Sequence, residues 1–114
     1  MRLSFAAIFL IAACGTAYAE EERAIVGLGT FSCAEFAKDY RDNPETADGF
    51  YRTWVQGFLS GQNAKALIED TPRRNIPSPA DIGKAIRHLC DNRPLAPVFL
   101  IANEFYKTLP LLVK

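Results

Sequence analysis

His88 is the chain's only histidine, and it stands two residues before Cys90, one of three cysteines among 114 residues. These side chains bound the chemistry available. On a helix an offset of two places side chains on different faces, so His88 and Cys90 do not form half a metal site, and no cluster of further ligands accompanies them. A Ser-His-Asp arrangement would rest wholly on His88, and there is no Gly-x-Ser-x-Gly, His-Glu-x-x-His, P-loop or dinucleotide fingerprint to support one. Gly27-Leu28-Gly29 is too short a motif to imply phosphate binding. The carboxylates are scattered, with no pair that the sequence places across a cleft. His88 reads instead as a partly exposed residue near a helix C-terminus, where its cationic form suits the helix dipole. The expectation is a protein that is not an enzyme, with no cofactor and no metal site.

What stands out is aromatic. Phe50-Tyr51-Arg52-Thr53-Trp54-Val55-Gln56-Gly57-Phe58-Leu59-Ser60-Gly61 holds the only tryptophan, three other aromatic residues and two glycines. Phe50, Tyr51, Trp54, Val55, Phe58 and Leu59 recur at three- and four-residue intervals, with Arg52, Thr53, Gln56, Ser60 and Gln62 between them, which predicts an amphipathic helix with a broad apolar face. A small domain must bury such a face. Trp54 and Phe58 are therefore expected in the core, against the third or fourth helix, with Gly57 and Gly61 letting that helix approach closely. The face is wider than one seam, so part of it is available to a partner, a client or a second copy. The candidate binding residues are Phe50, Tyr51, Trp54 and Phe58.

Three more helices position this one. Ser32 and Glu35 make a capping box, with Phe31 and Phe36 as its hydrophobic staple, and Cys33, Phe36, Ala37 and Tyr40 follow at helical spacing until Asn43-Pro44. A polar loop over 69–77 follows the aromatic helix. Ser78, Pro79 and Asp81 then start a third helix, with the stripe Ile82, Ala85, Ile86, Leu89 and Cys90, stopped by Asp91-Asn92-Arg93-Pro94. Pro97 opens the last, where Val98, Ile101, Ala102, Phe105 and Leu109 share a side and Pro110 ends it. No alternating strand pattern or internal repeat is visible. The fold class is all-α, a small four-helix domain with one disulfide.

The N-terminus predicts export. Arg2 precedes a short apolar run, and Ala17-Tyr18-Ala19 before Glu20-Glu21-Glu22 has the form of a signal-peptidase site. Residues 1–19 are read as a signal peptide, 20–30 as a flexible arm and 31–114 as a single helical domain, about 95 residues after cleavage, enough for one small core. Ile11-Ala12-Ala13-Cys14 offers a second route, a lipobox, in which Cys14 would carry a membrane anchor. Both routes place the protein outside the cytoplasm, as a periplasmic or anchored product. An exported chain left with Cys33 and Cys90 is expected to join them. Loss of Arg2 leaves 12 bases against 13 acids, a balance that argues against nucleic acid as a partner. Arg73-Arg74, the one basic doublet, reads as solvated loop.

The pattern Phe31-Ser32-Cys33-Ala34-Glu35-Phe36, the aromatic helix with Gly57-Phe58, and Cys90 after a Pro-started helix together resemble the HdeA/HdeB family of periplasmic acid-stress chaperones. The resemblance covers about Phe31 to Leu109. It implies a small exported helical protein whose two cysteines are bonded, acting as an ATP-independent holdase that exposes apolar surface in acid. The chain departs from that family's best-known members in its Tyr51–Phe58 segment and its longer apolar last helix. The Tyr51–Phe58 segment is also similar to one in the Rap1a/Tai immunity proteins, which implies the alternative of an inhibitor-type module with one fixed protein partner. There, further cysteines would be expected, and this chain lacks them. Both readings make the partners proteins, with a homodimer possible.

Overall fold

The computed structural model describes residues 24–112 together with Gly15. The segment read from sequence as a signal peptide, with Ala19 and Cys14, lies outside the described residues, apart from Gly15. Four helices carry the domain: α1 (Cys33–Asp42), α2 (Pro44–Ile68), α3 (Pro79–Cys90) and α4 (Val98–Thr108). A 3-10 turn, Leu28–Thr30, precedes them. No β-strand occurs among the described residues, only two isolated bridges.

The helix limits follow from local chemistry. The Ser32 hydroxyl accepts from the Glu35 amide and the Glu35 carboxylate accepts from the Ser32 amide, so the capping box is complete. Asn43 both ends α1 and caps α2, accepting from the Thr46 amide, and Pro44 fills the first position of α2, where its missing N–H costs nothing. Ser78 and Pro79 repeat the device at α3.

The core is built from one stripe of each helix: Cys33 and Phe36 of α1, Tyr51, Val55 and Leu59 of α2, Ile82 and Ile86 of α3, and Val98, Ile101 and Ala102 of α4. Every buried residue named here is apolar or aromatic, and among the described residues no charged or polar residue is buried. Cys33 and Cys90 are bonded, with Cα atoms 5.3 Å apart, so the start of α1 is fixed to the end of α3. Beside the bond, the Cys33 and Ala34 amides donate to the Ala96 and Pro94 carbonyls, and the Val98 amide donates to Phe31. The covalent tie thus sits inside a small main-chain network that also seats the start of α4.

The opposite end is held by side chains. Asn63 exchanges two hydrogen bonds of 2.9 Å with the Arg74 backbone and accepts a third from the Tyr106 hydroxyl. Arg74 lays its guanidinium over the Tyr106 ring and donates to the Lys107 and Leu109 carbonyls at the end of α4. It satisfies groups that the helix itself leaves unpaired. The 69–78 loop then pairs with the tail through the Asn75 and Leu112 amides. Arg74 is therefore half-buried and structural, which corrects its assignment to solvated loop; Arg73 is exposed as expected.

Candidate functional site

The four candidate aromatics of α2 separate into three environments. Tyr51 is core, 2% exposed, with its ring 4.4 Å from Phe36 and its hydroxyl donating to Asp39 of α1 at 2.7 Å. Burial, reinforced by the adjacent carboxylate, pushes its phenol well above the ordinary tyrosine range, so it stays a neutral donor. As folded, it is not available as a contact surface. Phe50, its neighbour, faces outward at 64% exposure. Trp54 and Phe58 lie between these limits, half-buried and stacked with ring centroids 5.6 Å apart.

Trp54 was expected beneath the third or fourth helix; its cover is the 3-10 turn instead. Its Nε1–H donates to the Val26 carbonyl at 3.1 Å. Gly29 is buried against the indole so closely that a Cβ there would lie 2.0 Å from Cη2, and one on Gly27 would lie 3.1 Å from Nε1. Residues 28–30, read from sequence as part of a flexible arm, are a packed element in the structure. The reason is steric: only glycine brings backbone this near to a ring face, and Gly27, at φ +82° and ψ −159°, takes a conformation essentially reserved to glycine.

Gly57 and Gly61 have nothing within 4 Å of the position a Cβ would take. They face outward, and no helix approaches there. The close approach of helices falls at Gly83 of α3, where a Cβ would meet the Asp48 carboxylate at 2.8 Å. Asp48 is the charged junction of α2 and α3. It accepts from Arg52 on its own helix and from Arg87 on α3, and Arg87 lies over the Tyr40 ring of α1. The sequence offers no signal for this junction, since Asp48 and Arg87 are 39 residues apart.

Beside the arm runs a shallow apolar cleft of about 460 Å³, where Leu28, Ala47, Phe50 and Tyr51 meet a rim that includes Asp39 and Asp42. His88 is exposed on the last turn of α3. No group of three or more His, Cys, Asp or Glu side chains is placed to hold a metal among the described residues, and no described helix is long and apolar enough to cross a membrane. No protein-family model, curated protein or solved structure matches the chain.

The arrangement offers an aromatic platform at the surface, partly covered by a short segment, with an indole N–H aimed at main chain.

Proposed function

We propose that this protein is an exported, ATP-independent holdase that loosens in acid and holds unfolding polypeptides on the aromatic face of α2. One observation carries the reading. α1 and α3 are joined covalently, whereas the charged ties of α2 to both of them end on carboxylates: Tyr51 on Asp39 and Arg87 on Asp48. In strong acid carboxylates are neutral and guanidinium groups are not. Arg52 and Arg87, which share Asp48 at neutral pH, are then left as neighbouring like charges across the α2–α3 contact. The mature chain, with 13 acids neutralised and 12 bases charged, repels itself as a whole. The helix that gains freedom is the one bearing Phe50, Tyr51, Trp54 and Phe58, while the disulfide limits how far the chain opens.

A second reading has its own support. Phe50, Leu67 and Ile68 of α2 are exposed with acid playing no part, Ile68 at 85%, which suits a module that engages one protein partner at neutral pH. Aggregation of several unrelated clients, followed with the mature protein across pH, separates the two. Suppression in acid and not at neutrality supports the holdase. Capture of a single stoichiometric partner at neutral pH, with no suppression in acid, overturns it in favour of the binding module.

A further inference from the structure

The segment Val26–Thr30 occupies the Trp54 face as a bound peptide would. We propose that this face is a polypeptide-binding site for a short uncharged segment of the form apolar-Gly-apolar-Gly, and that Val26-Gly27-Leu28-Gly29 is the chain's own occupant of it. The proposal rests on the reading of this protein as a binder of polypeptides and specifies which part of α2 binds and what it accepts.

Each contact of the seated segment states a requirement on a ligand. The Trp54 Nε1–H takes the Val26 carbonyl, a main-chain group that any polypeptide supplies. Gly29 lies where even one methyl group would enter the indole, so the position opposite the ring accepts glycine alone unless the ring moves. Gly27 turns the chain at a positive φ, and the Thr30 amide and hydroxyl both return to its carbonyl, so the bound form is a tight turn. Leu28 anchors the turn against the core and lines the cleft shared with Phe50 and Tyr51. Asp39 and Asp42 on the rim of that cleft disfavour an acidic ligand.

The occupant is lightly held. N-terminal to Phe31, the hydrogen bond from Trp54 is the segment's one hydrogen bond to the helices among the described residues; the others close the turn on itself. Ala24 to Gly27 are exposed. A unit with so few ties opens at lower free energy than the helices beneath it. Lifting it uncovers the indole N–H and the Trp54–Phe58 stack together, a donor and an apolar face that one polypeptide segment can cover at once.

The test uses the full mature chain carrying Gly29→Val and a synthetic peptide of residues 24–31, with Trp54 as the sole tryptophan reporter. In the variant, helical circular dichroism should persist, emission should move red, and quencher access should rise about twofold as a half-covered ring becomes exposed. The peptide should reverse both changes and saturate at ~0.1–1 mM, the range of a short weak ligand. The same peptide with valine at the place of Gly29 should not. If Gly29→Val loses its helical signal, Leu28→Ser, which unseats the anchor without overfilling the site, is read by the same criterion. A folded variant whose Trp54 ignores the peptide overturns the proposal. So does one that binds the valine peptide equally well. Suppression of aggregation in acid by a protein that ignores the peptide would leave the holdase standing and remove this site; peptide binding without suppression would do the reverse.

Discussion

Two glycine pairs in this molecule have the same composition and opposite surroundings. Gly29 holds backbone against the Trp54 ring at a distance no side chain tolerates, and Gly27 beside it turns the chain at a positive φ, while Gly57 and Gly61, three and seven residues beyond Trp54, face open space. The first pair is required by a contact. The second is a cost, because glycine inside a helix gives up backbone entropy with nothing packed in return. A small residue therefore records a close approach only where something large stands opposite it, and on α2 the large residue, Trp54, is covered from the N-terminal segment.

Substitutions test this contrast, in order of expected effect. Trp54→Ala removes the ring from beneath the first pair and should destabilise the fold by about 2–3 kcal/mol, short of the 3–5 kcal/mol typical of a fully buried aromatic, because Trp54 is half-exposed. The urea midpoint measures it, and the Thr30 and Phe31 amides should exchange faster. A loss below about 0.5 kcal/mol, the range of an ordinary surface change, would mean that the segment is not held by the ring. Gly29→Ala should cost about 1–3 kcal/mol as an overpacking change and shift Trp54 emission red. Gly57→Ala and Gly61→Ala should each stabilise by about 0.5–1 kcal/mol through helix propensity alone. If either destabilises, the outer face of α2 is covered in solution and the contrast fails.

The smallest effect concerns charge. Glu104 is paired with Arg93, whose second guanidinium nitrogen donates to it at 2.9 Å, and Asp42 is paired with Lys38 at 2.8 Å. Hydrogen bonds to these cations hold both carboxyl groups below their ordinary range. A lowered carboxyl contributes stability at pH above its unfolded value, and that contribution is lost as pH falls through the folded one. Both pairs lie at the surface, so the effect is read in titration midpoints by NMR. Arg93→Gln should return the Glu104 midpoint to the usual range and leave that of Asp42 unchanged. A Glu104 midpoint unchanged by the substitution would show that the pair does not persist in solution.

Much of the fold was legible because its signals are local. The Ser32–Glu35 capping box, the Ser78–Pro79 start, the stop at Asn43-Pro44 and the helical stripes each lie within a few residues, and the structure places α1, α3 and α4 within a residue or two of the positions they indicate; α2 begins earlier, at Pro44, ahead of the apolar stripe that opens at Phe50. The Cys33–Cys90 bond follows from cysteine count and expected export. The site was legible in composition and not in arrangement. The apolar period marks Tyr51, Trp54 and Phe58 alike, yet it cannot say which of them lies under another helix and which at the margin. The cover over Trp54 joins residues 28 apart in sequence, and the Asn63–Arg74–Tyr106 anchor spans 11 and 43. Contacts of that kind depend on where loops return after the helices have packed, and no periodicity announces them.

The Cys33–Cys90 bond has a mechanical consequence. It closes a ring of chain with 57 residues of separation, and α1, α2 and α3 all lie within it, while the Trp54 cover and α4 lie on the two free tails. Force applied at the ends can pay out only those tails. The N-terminal tail carries the cover away from Trp54 at the first extension, and α4 peels from the other side; beyond that the load passes across the sulfur bridge and the three helices bear none of it. Drawn through a narrow pore by its C-terminus, the chain would reach Cys90 with three strands to pass at once, two from the ring and one from the N-terminal tail, and stall there until reduced.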